Sequence, residues 1–256
     1  MTAAKTQSVP ALERALTILE MLAKSKRGLA ISEIVRNLQL PKSTAHTILI
    51  TLERRGYLHR NEQTHRYLFG LKFFSLANMV LSANELRDQA APMLRSLMGA
   101  CGLTVHLAIL DQRDVVLVDK VDPPGLIKLA TWIGKRMDPH CTGVGKALIA
   151  YLPEAELDLL VAEHRLPRHN EETIVSVRKL KAQLAEIRRL GFALDDEEDE
   201  VGLRCIGCPV FDGTGKVVAA VSISGTVSQI TAENLSALAH KVKRTASSIS
   251  QHLGFL

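Results

Sequence analysis

Apolar residues recur at helical spacing through the first eighty positions, then give way to short runs with the two-residue alternation of strands. The first pattern, "ALERALTILEMLAK", sets Leu12, Leu16, Leu19 and Leu22/Ala23 on one face, and Gly28 breaks it. "ISEIVRNLQL" predicts a short second helix with Ile34, Val35 and Leu38 inward. A turn around Asn37 to Pro41 leads into "PKSTAHTILITLERRG", where Ala45, Ile48, Leu49 and Leu52 fall at i, i+3, i+4 and i+7 of a third helix. Gly56 stops this helix behind Arg54 and Arg55, cations suited to a C-terminal end. Two β-prone pieces, "YLHR" and "RYLF", flank the polar turn "NEQTH" and predict a hairpin. Helix, helix, turn, helix and hairpin together describe a winged helix-turn-helix over residues 8–70.

Residues 71–84 open with "LKFFSLANMVLS", a helical pattern with Phe73, Phe74, Ala77, Val80 and Leu81 on one side. Such a linker helix needs an apolar partner, either the body of the chain or a second copy. The remainder, 85–256, begins with the helix "ELRDQAAPMLRSLMGA", in which Pro92 predicts a kink. Strand-like pieces follow: "TVHLAIL", "VVLVDKV", "LIKLATW", "CIGCPVF" and "KVVAAVSIS". Helices are predicted at about 154–165, at 177–190 with Ser176 as cap and Gly191 as stop, and at 232–253 behind Thr231. Hairpins such as "VFDGTGKVV" favour an antiparallel sheet carrying helices, so the fold class is α+β and the body resembles a sensor domain.

Charge adds what the pattern alone lacks. The chain of 256 residues is 46% hydrophobic and 23% charged, an ordinary globular composition. Residues 1–70 hold 11 Lys+Arg against 5 Asp+Glu, whereas 71–256 hold 21 against 22. All the excess positive charge therefore lies in the winged head, which points to a polyanion partner, double-stranded DNA. In this motif the helix after the turn enters the major groove with its N-terminal residues near base edges. That assigns Lys42, Ser43 and Thr44 to the tip, His46 and Thr47 to the same face, and Arg60 and Arg66 to the arms of the wing. A protein-interaction module remains the alternative for a three-helix head. No apolar run reaches about 18 residues, so no membrane span is expected. The first residues lack a basic-then-apolar signal pattern, so a cytoplasmic protein is expected.

The body offers few candidates for chemistry. "HCTGVGKAL" resembles a phosphate loop, but His140 stands where the leading glycine belongs and Ala147 where Ser/Thr is required. What remains is a Gly-rich turn opening a helix, able to hold an anion or purely structural. Cys205 and Cys208 form a C-x-x-C without a second such pair, and in a strand their odd spacing sends them to opposite faces, so no metal is expected. His140-Cys141 lacks a third member for catalysis. "DDEEDE" reads as a solvated acidic loop, with an Asp/Glu metal site as the weaker alternative, and its edge residue Asp195 turns inward after "FAL". In "KVVAAVSISG", Val217, Ala219, Val221 and Ile223 share one face and Val218, Ala220, Ser222 and Ser224 the other. Two neighbouring hydroxyls on an apolar strand need partners if buried: backbone, water or a small polar ligand.

"LPKSTAHTILITLERRGYL", "MDPHCTGVGKALIAYLP", "LDDEEDEVGLRCIGCPVFDGTGKVVAAVSISG" and the closing "QIT" resemble an IclR-type transcriptional regulator over essentially residues 10–253. The resemblance implies a winged helix-turn-helix, a linker helix and a C-terminal GAF-like antiparallel-sheet domain that binds a small effector. It also implies a homodimer or dimer of dimers on a palindromic operator, without catalytic residues, cofactor or membrane partner. Carried over by position, the effector pocket falls on Gly143, Val144, Asp195, Cys205, Ser222 and Ser224, with an apolar wall from Leu126, Leu129, Met137 and Leu203. The implied effector is a small organic or aromatic acid. Thr47 departs from the resemblance, standing where such proteins often carry Arg, and Val144 and Gly207 sit where residue choice varies. An enzyme with a regulatory head is the alternative, but no motif supplies a base, a nucleophile and an orienting group together.

Overall fold

A computed structural model describes residues 8–82, 85–125 and 128–255, and the chain divides into two units, one up to residue 83 and one from residue 84. The first unit contains α1 (Pro10–Ala23), α2 (Ile31–Leu38), α3 (Lys42–Arg54), β1 (Leu58–Arg60), β2 (Tyr67–Phe69) and α4 (Lys72–Ser82). Its core is Ile18, Leu22, Ile34, Ala45, Ile48, Leu49, Leu58 and Tyr67, so the α3 stripe faces inward as its spacing requires. Helix α1 corrects the expectation. Ile18 and Leu22 are buried with Ala15 and Leu19 against them, whereas Leu12 and Leu16 are 57% and 47% exposed. Two apolar stripes overlap on this helix, and only packing against its neighbours selects one.

Gln39, at φ 49°, closes α2 and starts the turn into α3. The wing pairs Leu58 with Phe69 and Arg60 with Tyr67, and the Asn61 carboxamide oxygen accepts from the N–H groups of Gln63 and Thr64 at 3.0 and 2.9 Å. Gly28 marks the end of the α1 region for a second reason. Leu29 and Tyr67 exchange backbone hydrogen bonds at 3.0 and 2.8 Å, and a Cβ on residue 28 would lie 2.4 Å from the Tyr67 carbonyl oxygen. In α4, Phe73 packs edge-on against Tyr57 and Phe69, with centroids 5.3 and 5.0 Å away, so part of the linker stripe is used within this unit.

The second unit runs α5 (Glu85–Cys101), β3 (Thr104–Asp111), β4 (Asp114–Val121), β5 (Arg136–Met137), α6 (Gly143–Ile149), α7 (Glu154–His164), α8 (Val177–Leu190), β6 (Ala193–Asp196), β7 (Leu203–Phe211), β8 (Val217–Thr226) and α9 (Ala232–His252). The strands form one antiparallel sheet in the order β5-β4-β3-β8-β7-β6. One face carries α5 and α9, whose Leu94, Leu97, Val242 and Ile249 cover Ile206, Cys208, Val221 and Ile223. The other carries α6 to α8, whose Ala147, Leu148, Leu160, Leu180 and Leu184 cover Ala108, Leu117 and Ala220. Capping follows the sequence: the Ser176 hydroxyl accepts from Lys179 N–H, and Gly191 ends α8 at φ 75°.

Three expectations change. Lys128–Trp132, within the apolar run read as a strand, is loop; the carbonyls of Leu129 and Thr131 accept from Lys120 Nζ at 3.0 Å each instead of pairing with a neighbour. The short strands β5 and β6 were not anticipated. In β8 a register shift opposite Val210/Phe211 turns Val217 toward the α6 layer and Val218 toward the α5 layer, reversing the alternation at that end only. Pro92 lies inside α5.

Candidate effector pocket and DNA-facing surface

On α3, Lys42, Ser43, His46 and Thr47 are exposed and Thr44 is half-buried, with no acid in the first turn. Thr47 donates its hydroxyl back to the Ser43 carbonyl at 3.0 Å, which leaves its methyl group and remaining lone pair on the outer face. Arg60 is exposed on β1, its guanidinium carbon 6.0 Å from the Tyr67 ring centroid. Arg66 departs from the expected DNA-facing role. Its Nη2 donates to both Glu33 carboxylate oxygens at 2.9 and 2.8 Å, and its Nε donates to the Gly28 carbonyl at 3.2 Å. That side chain ties the wing to α2.

The second unit assembles a polar row from residues far apart in sequence. Thr104, Ser224, Cys205 and Asp195 stand opposite one another across β3, β8, β7 and β6. The next row is His106, Ser222, Gly207 and Ala193. Directly paired residues of an antiparallel sheet point to the same face, so these groups share the α6 side. There the first turn of α6 lies on Gly207: a Cβ at that position would be 2.2 Å from the Gly143 carbonyl oxygen. Glycine is required so that helix and strand backbones can touch. The Thr142 hydroxyl caps α6 by accepting from Gly145 N–H at 3.1 Å.

A cavity of about 50 Å³ opens between this row, the α6 start and the loop after β4. Since one water needs roughly 10–15 Å³ measured this way, the space suits a molecule of a few non-hydrogen atoms. Of the expected pocket residues, Gly143, Val144, Asp195, Cys205, Ser222, Ser224, Leu129, Met137 and Leu203 all line it. Leu126 lies outside the described residues. Sequence reasoning missed His106, Thr131, Lys135 and Asp199. His106 was within reach, because Thr104 and His106 alternate with apolar residues in β3 just as the serines do in β8. Its ring donates or accepts at both ends, with Nε2 2.9 Å from the Thr131 hydroxyl and Nδ1 3.4 Å from Ser224 Oγ.

Burial and neighbouring charge set the protonation states. Burial, with Lys120 nearby, lowers His106 to about 4, so its imidazole is neutral at neutral pH. Burial also pushes the Cys205 thiol well above its usual range, reinforced by Asp195. For Asp195, burial raises the carboxyl to about 7; Lys146 and the Glu198 N–H oppose the rise, and the Glu198 and Asp199 carboxylates add to it. Below the cavity, Lys146 is fully buried, donates to the Glu198 carboxylate and to the Leu194 carbonyl, and so supplies the cation that this acidic wall requires. The pocket thus sets neutral donors beside a carboxyl poised between its two forms, with Lys135, Asp199 and Glu200 also on its wall.

Comparisons with known proteins agree with this arrangement. A family model described as the IclR helix-turn-helix domain matches residues 11–62, and one described as bacterial transcriptional regulator IclR C-terminal matches residues 78–251. The chain is 33% identical over 255 residues to the transcriptional repressor IclR of Escherichia coli K12, covering 99% of this chain and 93% of that protein. It is 34% identical over 244 residues to the HTH-type transcriptional repressor AllR of Klebsiella pneumoniae, covering 95% and 90%. The crystal structure of the Thermotoga maritima IclR superposes with a TM-score of 0.79 at 34% identity, covering 96% of this chain and 99% of that one. The chain belongs to the IclR family of bacterial transcriptional regulators, with a DNA-binding helix-turn-helix domain and a small-molecule effector domain.

Proposed function

We propose that a small carboxylic acid occupies the cavity of the C-terminal unit and thereby controls binding of the winged head to a palindromic operator. The observation that carries this reading is the row of Ser224, Cys205 and Asp195 across three strands, met by the start of α6. A carboxylate accepts several hydrogen bonds, and Ser222, Ser224 and the first α6 amides would donate them. Asp195 near its midpoint retains enough proton to sit beside such a ligand, or accepts from a ligand hydroxyl at the far end. Leu129, Met137 and Leu203 supply the apolar limit. The cavity size favours a short hydroxy or keto acid over an aromatic one.

At the operator, Lys42 neutralises phosphate, Ser43, Thr44, His46 and Thr47 face the groove, and Arg60 follows the backbone from the wing. The enzyme reading has less support, because the relatives named above are transcriptional repressors. Two copies per operator fit the exposed apolar residues of α4 and its approach, Leu71, Phe74 and Met79, which are 85%, 69% and 71% exposed. Light scattering should find a dimer or dimer of dimers at micromolar concentration.

The deciding experiment follows fluorescence anisotropy of a duplex from the gene's own upstream region, with and without a panel of small carboxylic acids. One or more acids should shift the binding curve by at least about tenfold, near 1.4 kcal/mol of coupling. Operator affinity insensitive to every acid that binds the protein would reject the control mechanism.

A further inference from the structure

We infer that Lys120 is a positioning residue of the pocket: it holds residues 129–131 so that the Thr131 hydroxyl donates to His106, and the tautomer this selects leaves the Ser224 hydroxyl hydrogen to a bound acceptor. This rests on the small-acid reading above and identifies what keeps the donors turned toward that acid. His106 pairs with Lys120 across β3 and β4 and with Ser222 across β3 and β8, so the three side chains share the pocket face of the sheet. The Lys120 side chain is 11% exposed; its Nζ donates at 3.0 Å to each of the Leu129 and Thr131 carbonyls and lies 3.1 Å from Asp122 Oδ2. Asp122 is itself fixed by the Thr104 hydroxyl, which donates to Oδ1 at 3.0 Å. All three ammonium hydrogens are thereby committed, and a segment outside the sheet is tied to β4 at two carbonyls. The Thr131 side chain then reaches the His106 ring, its hydroxyl 2.9 Å from Nε2.

A neutral imidazole carries one ring hydrogen, and the bond made at one nitrogen decides which nitrogen holds it. His106 is neutral because burial and Lys120 lower it to about 4. Lys120 meets the ring from the Thr131 side, and a fixed cation there favours a lone pair on Nε2 over an N–H. Asp122 acts in the opposite sense, more weakly, and Lys135 adds to Lys120. Nε2 therefore accepts from Thr131, and Nδ1 directs its hydrogen to Ser224 Oγ, 3.4 Å away. Ser224 then accepts, and its own hydrogen is left for the weak acceptor Cys205 beside it, or for a carboxylate that outcompetes the thiol. In the other tautomer Ser224 would donate to Nδ1 and turn its lone pairs toward the acid. One cation on β4 thus sets the donor character of a hydroxyl on β8.

The test is a long-range proton–nitrogen NMR spectrum of the full-length protein, labelled at histidine nitrogen and recorded near neutral pH without any acid. His106→Gln identifies the ring signals by their loss from among nine histidines. The parent should show Nδ1 protonated and Nε2 bare. Thr131→Val removes the hydroxyl donor, and Lys120→Met keeps the apolar stem without the charge. Each should raise the population of the Nε2–H tautomer, and Lys120→Arg should restore the parental ring signals. In calorimetry with short carboxylic acids, Thr131→Val and Lys120→Met should each lose at least about tenfold in affinity, as for one well-placed hydrogen bond, while Lys120→Arg keeps most of it. An Nε2–H ring in the parent would overturn the assignment. So would parental ring signals in Lys120→Met, or in Thr131→Val should Lys120→Met fail to fold. Because the spectrum contains no ligand, the expected ring in a parent that binds no acid would sink the small-acid reading and leave the role of Lys120 in setting the tautomer in place.

Discussion

Ser224 stands directly opposite Cys205 in the β7–β8 register, and its hydroxyl lies 3.4 Å from His106 Nδ1. Three strands therefore converge on one hydroxyl in a chain whose remaining β8 side chains are mostly apolar. Because His106 is a neutral imidazole, Ser224 Oγ donates to its Nδ1 in one tautomer and accepts from it in the other, and the second leaves the hydroxyl hydrogen to an incoming acceptor.

The wing and the recognition helix should respond differently to mutation. Lys42→Ala is expected to weaken all DNA sequences alike and to reduce the salt slope by about one, as loss of a single phosphate contact does. Arg66→Ala should instead lower the melting temperature, because its guanidinium joins the wing to Glu33 and Gly28. Arg66 also lowers the Glu33 carboxyl, after the Ala30 N–H as the main cause, so this linkage is present near neutral pH and fades as pH falls through that lowered value. Thermal melts paired with anisotropy separate the two roles. An Arg66 variant with parental stability and a reduced salt slope would return it to the DNA interface.

Asp195 carries the pH prediction. Its carboxyl rises from 3.8 to about 7 on folding, through burial first. The groups facing it are Lys146 on α6, Glu198 and Asp199 in the following turn, and Cys205 on β7. The folded chain then holds a proton that the unfolded chain has already released, so this group's stability contribution falls as pH rises from about 4 to 7 and is level above that. Carboxylate binding should weaken as pH climbs past 7, where Asp195 ionises. Asp195→Asn is expected to flatten that dependence in calorimetry. A parental pH profile in the Asn variant would assign the proton to another group.

Gly207 tests the backbone contact that shapes the pocket. Its absent Cβ would meet the Gly143 oxygen at 2.2 Å and the Val144 nitrogen at 2.8 Å, both backbone atoms that cannot rotate away. Gly207→Ala should displace α6 and destabilise the protein by roughly 1–3 kcal/mol, as overpacking does. Urea unfolding measures this, and an unchanged midpoint would mean the two backbones separate freely.

Much of this architecture was legible in the chain. The α3 stripe, the Ser176 and Gly191 boundaries and the opposed faces of Cys205 and Cys208 each follow from local spacing, and each appears in the structure. The inward set of α1 was not legible, because Leu12/Leu16 and Ala15/Ile18 are equally apolar candidates. Arg66 read as a DNA cation because its partner, Glu33, is distant in sequence and on another element. The loop around Leu129 and Thr131 carries strand-like residues, yet its carbonyls are taken by Lys120, a side-chain contact that periodicity does not encode. The pocket residues were named by family resemblance. Spacing alone left the two serines open between core hydroxyls and ligand contacts, Asp199 was submerged in the acidic run 195–200, and Thr131 carried no signal of either kind.

The central claim is that Ser222 and Ser224 bind a small acid. It is tested most directly by calorimetry of a panel of short hydroxy, keto and aromatic acids against the parent, Ser222→Ala and Ser224→Ala. At least one acid should bind the parent, and removing one hydroxyl should cost about 1–3 kcal/mol, or about one to two decades in affinity. Operator affinity without the acid should stay within about twofold of the parent, a difference well under 1 kcal/mol. Equal binding of every such acid by the parent and both variants would contradict the account and make the two serines core hydroxyls.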